Sequence, residues 1–507
     1  MKVLFVVSDL FFSEPLGAMI LSAVCKAAGH VTRLSVLKGG DMAADLDAFE
    51  PDLLAYSAMT PDEHLFADAD RVAQAWAAQR GRRLVRVMGG PHPTYFPDVL
   101  TNFGLDAICC GDGDRAILRI LDALAEGRPL TGIPNVVPAG ASDFIKEVVE
   151  DMDSIAFADR DLLYDRAPDM LKHGIRSFMT QRGCPHKCTY CFNHAYNRMF
   201  KGEGRKLIRR RSVDNLLTEI RGVVERYPTA RVLRFGDDVF VIHEDEWLHE
   251  FAERYRKEIG IPFYCLIRCN ALTEPVARLL QHAGCVSIAM SIEAGTSRVR
   301  NEIMKRNMPD EMVLSAFDHA RQYGLNAFAN SILALPGTTF QDDWDSFLFA
   351  KKAKAAVPTF SIFCPFPNTD LTKQAIELGA LPADFDYNTV SGWEQSVLTN
   401  FTAEEKRMQV RLAHLGTLFC LLPDFMIPVL KVLIRLPLDY LYKFWGSLFF
   451  SYMLATRIFP GARPRDLKSI VTHVWRSLRY LQAGGKRKGQ AGMAGLRAPA
   501  TGLNGEA

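Results

Sequence analysis

Phe178-Met179-Thr180-Gln181-Arg182-Gly183-Cys184-Pro185-His186-Lys187-Cys188-Thr189-Tyr190-Cys191-Phe192-Asn193 is the stretch whose reading decides the rest of this chain. Residues 178–181 read as a strand leading straight into a loop that carries Cys184, Cys188 and Cys191, spaced C-x3-C-x2-C. Gly183 and Pro185 favour an irregular loop over a helix. Three thiolates on one short loop can hold three irons of a four-iron cluster and leave the fourth iron open to a small molecule. Structural zinc sites bring four ligands in two pairs, and no second C-x2-C pair stands elsewhere in the chain. A disulfide framework would leave one of the three cysteines over, and no secretory signal precedes them. A zinc knuckle or three unrelated core cysteines are the bland alternatives.

With Tyr190 in the aromatic place, the loop resembles the C-x3-C-x-aromatic-C hallmark of the radical S-adenosylmethionine (SAM) superfamily. The resemblance implies that Cys184, Cys188 and Cys191 ligate a [4Fe-4S] cluster whose open iron chelates the amino and carboxylate groups of SAM. It implies reductive cleavage of SAM to methionine and a 5′-deoxyadenosyl radical, fed by an external donor of the flavodoxin or ferredoxin type.

Composition sets the frame. The 507 residues suffice for two or three domains. Lys and Arg number 60 against 58 Asp and Glu, so the balance is near neutral and no nucleic-acid footprint is expected. Eleven cysteines in this length are too few for a disulfide scaffold, and Cys25, Cys265, Cys285 and Cys364 read as small buried hydrophobes. A reducing, cytoplasmic setting follows.

Upstream of the cysteines, apolar strand runs at 3–7, 31–37, 53–57, 84–88 and 107–110 alternate with amphipathic stretches at 16–28, 61–80 and 114–125. That rhythm predicts a parallel sheet covered on both faces. Ligands on such sheets bind beyond the carboxyl ends of the strands. Those ends hold Ser57 and Thr60, Gly89-Gly90-Pro91-His92, and Gly111-Asp112-Gly113-Asp114, small residues that leave room for a large flat ligand. No G-x-G-x-x-G follows the first strand, which argues against a dinucleotide. Ahead of a radical SAM motif, this order resembles the cobalamin-binding domain of the B12-dependent radical SAM subfamily. The resemblance assigns Ser57, Thr60, Gly89, Gly90, Gly111 and Asp112 to cobalamin. It departs from the D-x-H-x-x-G of other B12 proteins: Asp9 is followed by Leu10-Phe11-Phe12-Ser13-Glu14, without the cobalt-ligating histidine. His92 is the one nearby candidate, and a local hydrogen bond is its simpler role. A flavodoxin-like domain without cofactor is the bland alternative.

Downstream, strands are expected at 178–181, 232–235, 263–267, 286–292, 327–334 and 360–363, separated by helices such as 213–227, 273–283 and 309–323. Six βα units make a partial TIM-type barrel, whose active site sits at the carboxyl ends of its strands. By the resemblance, Gly236 and Asp237 lie in the region that meets the SAM amino group, and Ser291 and Glu293 in an S-x-E-x-G run that meets its ribose and methionine parts. Two-residue alternation would turn Ser291 and Glu293 onto one face, toward the barrel mouth. Arg268 ends the third strand and could simply pair one of the acids, and Lys305-Arg306 reads either as a holder of the SAM carboxylate or as a solvated helix face. His194 reads as a loop histidine, Ser212 as a helix cap, and Arg209, Arg210 and Arg211 as braces for acidic loops.

From Ala403 the pattern is helical. Residues 421–460 are strongly apolar and aromatic but interrupted by charges, so no spanning helix is expected. They suit either a lid over the barrel mouth or peripheral contact with the inner face of a membrane. The full expectation is a mixed α/β chain: residues 1–135 a Rossmann-like (flavodoxin-like) cobalamin domain, 136–170 a linker, 171–400 a partial (β/α)6 barrel, 401–482 a helical domain, 483–507 a disordered tail. The expected activity is methylation of an unactivated carbon of a hydrophobic small molecule, lipid-like or tetrapyrrole, through methylcobalamin. Cyclisation or oxidative rearrangement of the anaerobic tetrapyrrole cyclase type, and a non-enzymatic corrinoid or iron–sulfur carrier, stay open as alternatives.

Overall fold

Six strands open the chain: β1 (Lys2–Val7), β2 (Val31–Val36), β3 (Leu53–Ser57), β4 (Val85–Gly89), β5 (Ala107–Cys109) and β6 (Val136–Pro138). They form one sheet in the order β2-β1-β3-β4-β5-β6, parallel except for the β5–β6 pair. The computed structural model describes residues 1–10, 14–202, 206–387 and 394–462. Alternate residues of β1 show why both faces are covered. Val3, Phe5 and Val7 pack with helices Leu16–Ala27 and Ala116–Ala125, while Leu4 and Val6 pack with helices Met42–Phe49 and Glu63–Arg80. The Met42–Phe49 helix was not expected from the sequence; it is short, and its start is fixed by Asp41, whose carboxylate caps Ala43 and Ala44. The antiparallel β6 is also new. It lies inside the stretch 136–170 expected to be a linker. So does helix Arg160–Arg166, whose Leu162, Leu163 and Tyr164 join the core of the first sheet.

The second unit is built on β7 (Ile175–Phe178). A two-residue ladder follows, β8 (Gln181–Arg182) against β9 (Arg209–Arg210). Then come β10 (Val232–Phe235), β11 (Phe263–Leu266), β12 (Cys285–Ala289), β13 (Asn326–Leu333) and β14 (Val357–Ile362). The six long strands run in consecutive order, β7-β10-β11-β12-β13-β14, all parallel and open at the ends: a partial barrel. The expected strand 178–181 is therefore two pieces. The barrel strand stops at Phe178, and Gln181-Arg182 turns aside to pair with Arg209-Arg210.

A buried charge network locks the two units. Glu14 is 6% exposed and accepts from the Arg160 guanidinium, the Tyr164 hydroxyl and the Ser177 backbone N–H. Arg160 also donates to the Ser177 carbonyl at 2.7 Å. Arg182 and Arg209 reach from the β8–β9 ladder to Asp112 and Asp114 in the turn after β5.

The apolar C-terminal helices do not cover the barrel mouth. Helix Ala403–Leu421 runs along β14 at the open edge of the sheet, Gly416 lying against the Phe360 ring. The chain then turns under the barrel's amino-terminal end. Phe459 meets Tyr264, Phe450 meets Phe328, Met453 and Ile458 pack on Val357, and Ala462 accepts from the N–H of Gly174. Each of these partners stands at the start of a barrel strand, so residues 449–462 form a floor, while residues 424–446 pack on the outer flank of helices Phe340–Ala353 and Ala403–Leu421 and make no lid. No described helix is long and apolar enough to cross a membrane. The expected boundary at 482 and the tail 483–507 lie outside the described residues, as do Phe11, Phe12 and Ser13.

Candidate functional site

The cysteine loop sits between β8 and helix Phe192–Phe200. Gly183, with φ +93°, passes so close to Leu207 that any Cβ would lie 2.1 Å from its carbonyl oxygen. Only glycine fits there. The loop is pinned at its middle: Thr189 bonds Met304 and Ile303 of the π-helical turn Val299–Ile303, and its carbonyl accepts from Leu371. Asn197 holds the Cys184 carbonyl at 2.8 Å. Cys184 and Cys188 are buried and Cys191 half-buried. Burial, with the neighbouring Cys188 and Cys184 adding to it, pushes the Cys191 thiol up to about 12. Among the described residues no three His, Cys, Asp or Glu converge to hold a single metal ion. A four-iron cluster gives each thiolate its own iron, and so asks the three to surround a volume and not a point.

Behind the loop lies a buried triad. The Tyr190 hydroxyl and the Arg306 guanidinium both meet Glu293, at 2.9 Å and 3.1 Å, and Arg306 also donates to the Tyr190 oxygen and to the Ser291 carbonyl. The route by which Glu293 gets there differs from the expected one. β12 ends at Ala289, and Glu293 has φ +66°, the left-handed region that side chains rarely adopt. Its placement rests on a bulge bridged to Ser331, not on strand alternation with Ser291. Among the described residues Arg268 pairs no acid; it donates to the Arg306 carbonyl at 2.8 Å, and burial, together with the like charge of Arg306, lowers its pKa.

Among the described residues, six buried polar atoms around this mouth find no hydrogen-bond partner: Glu293 Oε2, Arg306 Nε, Arg268 Nε, His186 Nε2, Asn197 Oδ1 and Ser331 Oγ. Buried polar atoms are normally paired. A concentration of orphans of both signs beside the cysteines fits a zwitterionic ligand such as the amino acid end of SAM. Gly236 and Asp237 are engaged inside the fold. The Gly236 N–H donates to Phe178 at 2.9 Å, and the buried Asp237 carboxylate accepts from Thr180 N, Gln181 N and the Thr180 hydroxyl. Asp237 thus ties β10 to the segment entering the loop.

Across from the loop stand the strand ends of the first sheet. Ser57, Gly89, Gly90 and Gly111 stay half-buried where the strands before them are covered, a ledge free of large side chains that fits a planar ligand. The glycines also serve the fold itself. A Cβ on Gly90 would lie 2.9 Å from the Ala58 oxygen, and one on Gly111 would lie 2.4 Å from the Phe200 ring. Thr60 faces the Nδ1 of His92 at 3.4 Å. His92 is 1% exposed and stacked on Phe96, so it turns into its own turn and away from the ledge. Asp112 is held by Arg182, Arg209 and the Val149 N–H, which keep its carboxyl below the usual range against the opposing effect of burial. Arg210 and Arg211 likewise bind Asp245 and Glu219, and Ser212 caps Asn215. His194 lies 3.3 Å from Asp370.

Sequence reasoning missed the connection between the two sides. The helix after the cysteines turns Phe192, Tyr196 and Phe200, spaced by four, to one side. Phe192 stacks on Tyr95 at 4.2 Å and Phe200 fits over Gly111. The i, i+4, i+8 aromatic spacing was readable; its partner surface was not.

Two family models match this chain: "B12 binding domain" over residues 3–121 and "Radical SAM superfamily" over residues 178–350. Both domains stand in one polypeptide with their strand ends facing each other, which is the architecture of the B12-dependent radical SAM enzymes. It is 26% identical, over 82% of its length and 89% of the relative's, to the uncharacterized methyltransferase PH0819 of Pyrococcus horikoshii. It is 23% identical to the anaerobic magnesium-protoporphyrin IX monomethyl ester cyclase of Rubrivivax gelatinosus, covering 74% of this chain and 68% of the cyclase. Among solved structures its fold matches TsrM of Kitasatospora setae, a radical SAM methyltransferase with cobalamin and a [4Fe-4S] cluster bound: TM-score 0.64, 16% identity, 96% and 99% of the two chains covered.

Proposed function

We propose that this enzyme methylates an unactivated carbon of a small-molecule substrate. The observation that carries the reading is the direct seating of the cluster-loop helix on the ledge of the B12 domain, Phe192 on Tyr95 and Phe200 on Gly111. Cys184, Cys188 and Cys191 would hold the cluster. Glu293, Arg306, Arg268 and His186 offer unpaired polar atoms for the amino and carboxylate groups of SAM. Tyr190 braces that set through Glu293, with Asp237 and Gly236 fixing the loop's approach. Ser57, Gly89, Gly90 and Gly111 would line the cobalamin ledge, with Thr60 and Asp112 holding its turns. When bound, the cofactors supply radical initiation from SAM and methyl delivery. The protein's own part is to fix the two sites against each other and to keep water out between them with aromatic rings.

Those rings bear on the substrate. Tyr95, Phe192 and Phe366 stand at the junction, with Phe366 5.0 Å from Phe192, and favour a flat or apolar molecule. The apolar C-terminal helices give no such support, because they lie on the outer flank and floor of the barrel. An external one-electron donor completes the requirement. Anaerobic reconstitution should give a four-iron chromophore, a retained corrinoid and 5′-deoxyadenosine from SAM; a protein that retains neither group ends the proposal. Product mass separates the reading from the cyclase type that the Rubrivivax relative represents: a gain of CH2 marks methylation, added oxygen or lost hydrogens marks cyclisation. Product formation that survives Cys188→Ala would point to a carrier instead.

A further inference from the structure

The outer flank of the C-terminal helices, running down to the barrel floor, carries a dense cluster of exposed apolar side chains. Of the 21 large apolar side chains left exposed among the described residues, 12 fall within residues 418–452, and the other 9 are scattered. Phe425 is 75% exposed, Tyr440 94% and Trp445 56%. Large contiguous apolar patches on a folded protein mark interaction sites. Helices Ile427–Leu433 and Asp439–Met453 carry this patch on the outer flank beside helices Phe340–Ala353 and Ala403–Leu421, and only the end of the second reaches the strand starts.

Charge identifies the partner. Between residues 422 and 460 stand four cations, Lys431, Arg435, Lys443 and Arg457, and two acids. Both acids are neutralised from inside the fold: Asp424 by Lys351 at 3.2 Å and Asp439 by Arg411 at 2.6 Å. Next to the patch, at the lower ends of helices Asp310–Gln322 and Phe340–Ala353, a cavity of about 370 Å³ is lined by Arg321, Lys354 and Arg457. Arg321 is paired with Asp318, so Lys354 and Arg457 supply the surplus cationic charge that suits a phosphate-bearing head group. The described chain leaves at Ala462, at this same end. The 45 residues beyond carry nine Lys and Arg against two acids, in a protein whose total charge is only +2. Exposed aromatics, aliphatic side chains and a surplus of cations are what an anionic bilayer interface selects.

We propose that this flank, residues 418–458, with the Arg321–Lys354–Arg457 cavity at its lower end, docks on an anionic phospholipid bilayer. The proposal is independent of the cofactor chemistry above. Flotation of the full-length holoenzyme with phosphatidylcholine vesicles, with and without one quarter phosphatidylglycerol, tests it. Binding should be at least about five-fold stronger to the anionic vesicles and should weaken with salt. Phe425→Ser/Tyr440→Ser/Trp445→Ser should lose binding while cleaving SAM at the wild-type rate. Lys354→Glu/Arg457→Glu should lose the preference for anionic over neutral vesicles. Absence of binding to either vesicle overturns the proposal. So does a concentration-dependent dimer that the triple variant dissociates, with no vesicle binding, since a second copy would then cover the face.

Discussion

Replacing Glu14 by glutamine removes one negative charge from the interior junction of the two domains and leaves the volume nearly unchanged. The Arg160 guanidinium, 4% exposed, then keeps one carboxylate neighbour, Glu219 at 3.8 Å, which Arg211 already engages. Stripping a buried cation of its partner costs about 3–5 kcal/mol. The residual Glu219 contact places the expected cost at the low end, about 3 kcal/mol. For a cooperative unit of roughly 150–250 residues that lowers the melting temperature by about 6–12 °C. Because Glu14 also accepts from Ser177 at the start of the barrel, the first domain and the barrel should both lose stability. Arg160→Met alone should be similarly harmful, since it strands Glu14. The double variant should be less harmful than the sum by about 1–3 kcal/mol. Calorimetric scans of the four proteins give the answer. A fall below about 2 °C for Glu14→Gln, or strict additivity in the double variant, refutes the view that this pair holds the domains together.

Four further outcomes are expected. Gly111→Ala forces a Cβ against the Phe200 ring at a left-handed backbone position and should cost about 1–3 kcal/mol, with Phe200→Leu restoring part of it in thermal melts. His414, held neutral by burial and by Lys443, has its pKa lowered to about 4. Its unfolded value is higher, so stability is complete above about pH 6.5 and falls by up to about 3 kcal/mol as pH drops toward 4; His414→Gln should flatten that slope in melts at pH 5 and 7.5. Glu293→Gln should raise the KM for SAM far more than it alters cluster absorbance, because Glu293 touches Tyr190 and Arg306 but no cysteine. Cys188→Ala should abolish the four-iron absorbance and SAM cleavage while leaving the melting temperature of the first domain unchanged.

The two sheets were legible because their strands are buried on both faces and read as apolar runs between turns. The cysteine loop was legible because ligand spacing is local. What escaped the sequence is what depends on contacts between distant segments. Alternation misled at Ser291 and Glu293, where the strand had already ended and a left-handed residue took over. Gly90 and Gly111 looked like room for a ligand, and each also makes room for the protein itself, Ala58 in one case and Phe200 in the other. The C-terminal helices carried the right composition for a surface but no signal of which end of the barrel they would close. Asp112 and Asp237 were assigned to cofactors by the family resemblance; the sequence did not show that their carboxylates are also bonded inside the fold, by arginines from β8 and β9 and by backbone N–H groups from β7's exit.

The helix Phe192–Phe200 has nine residues, so at 1.5 Å per residue it spans about 13 Å. One end is continuous with the cysteine loop and the other is keyed into Gly111. It therefore acts as a gauge block between two reaction centres. Any insertion or deletion within it would reset their separation and rotate one against the other by about 100° per residue. Sequence drift can alter the walls of the junction freely, but the length of this one helix is a dimension the chemistry cannot share with evolution.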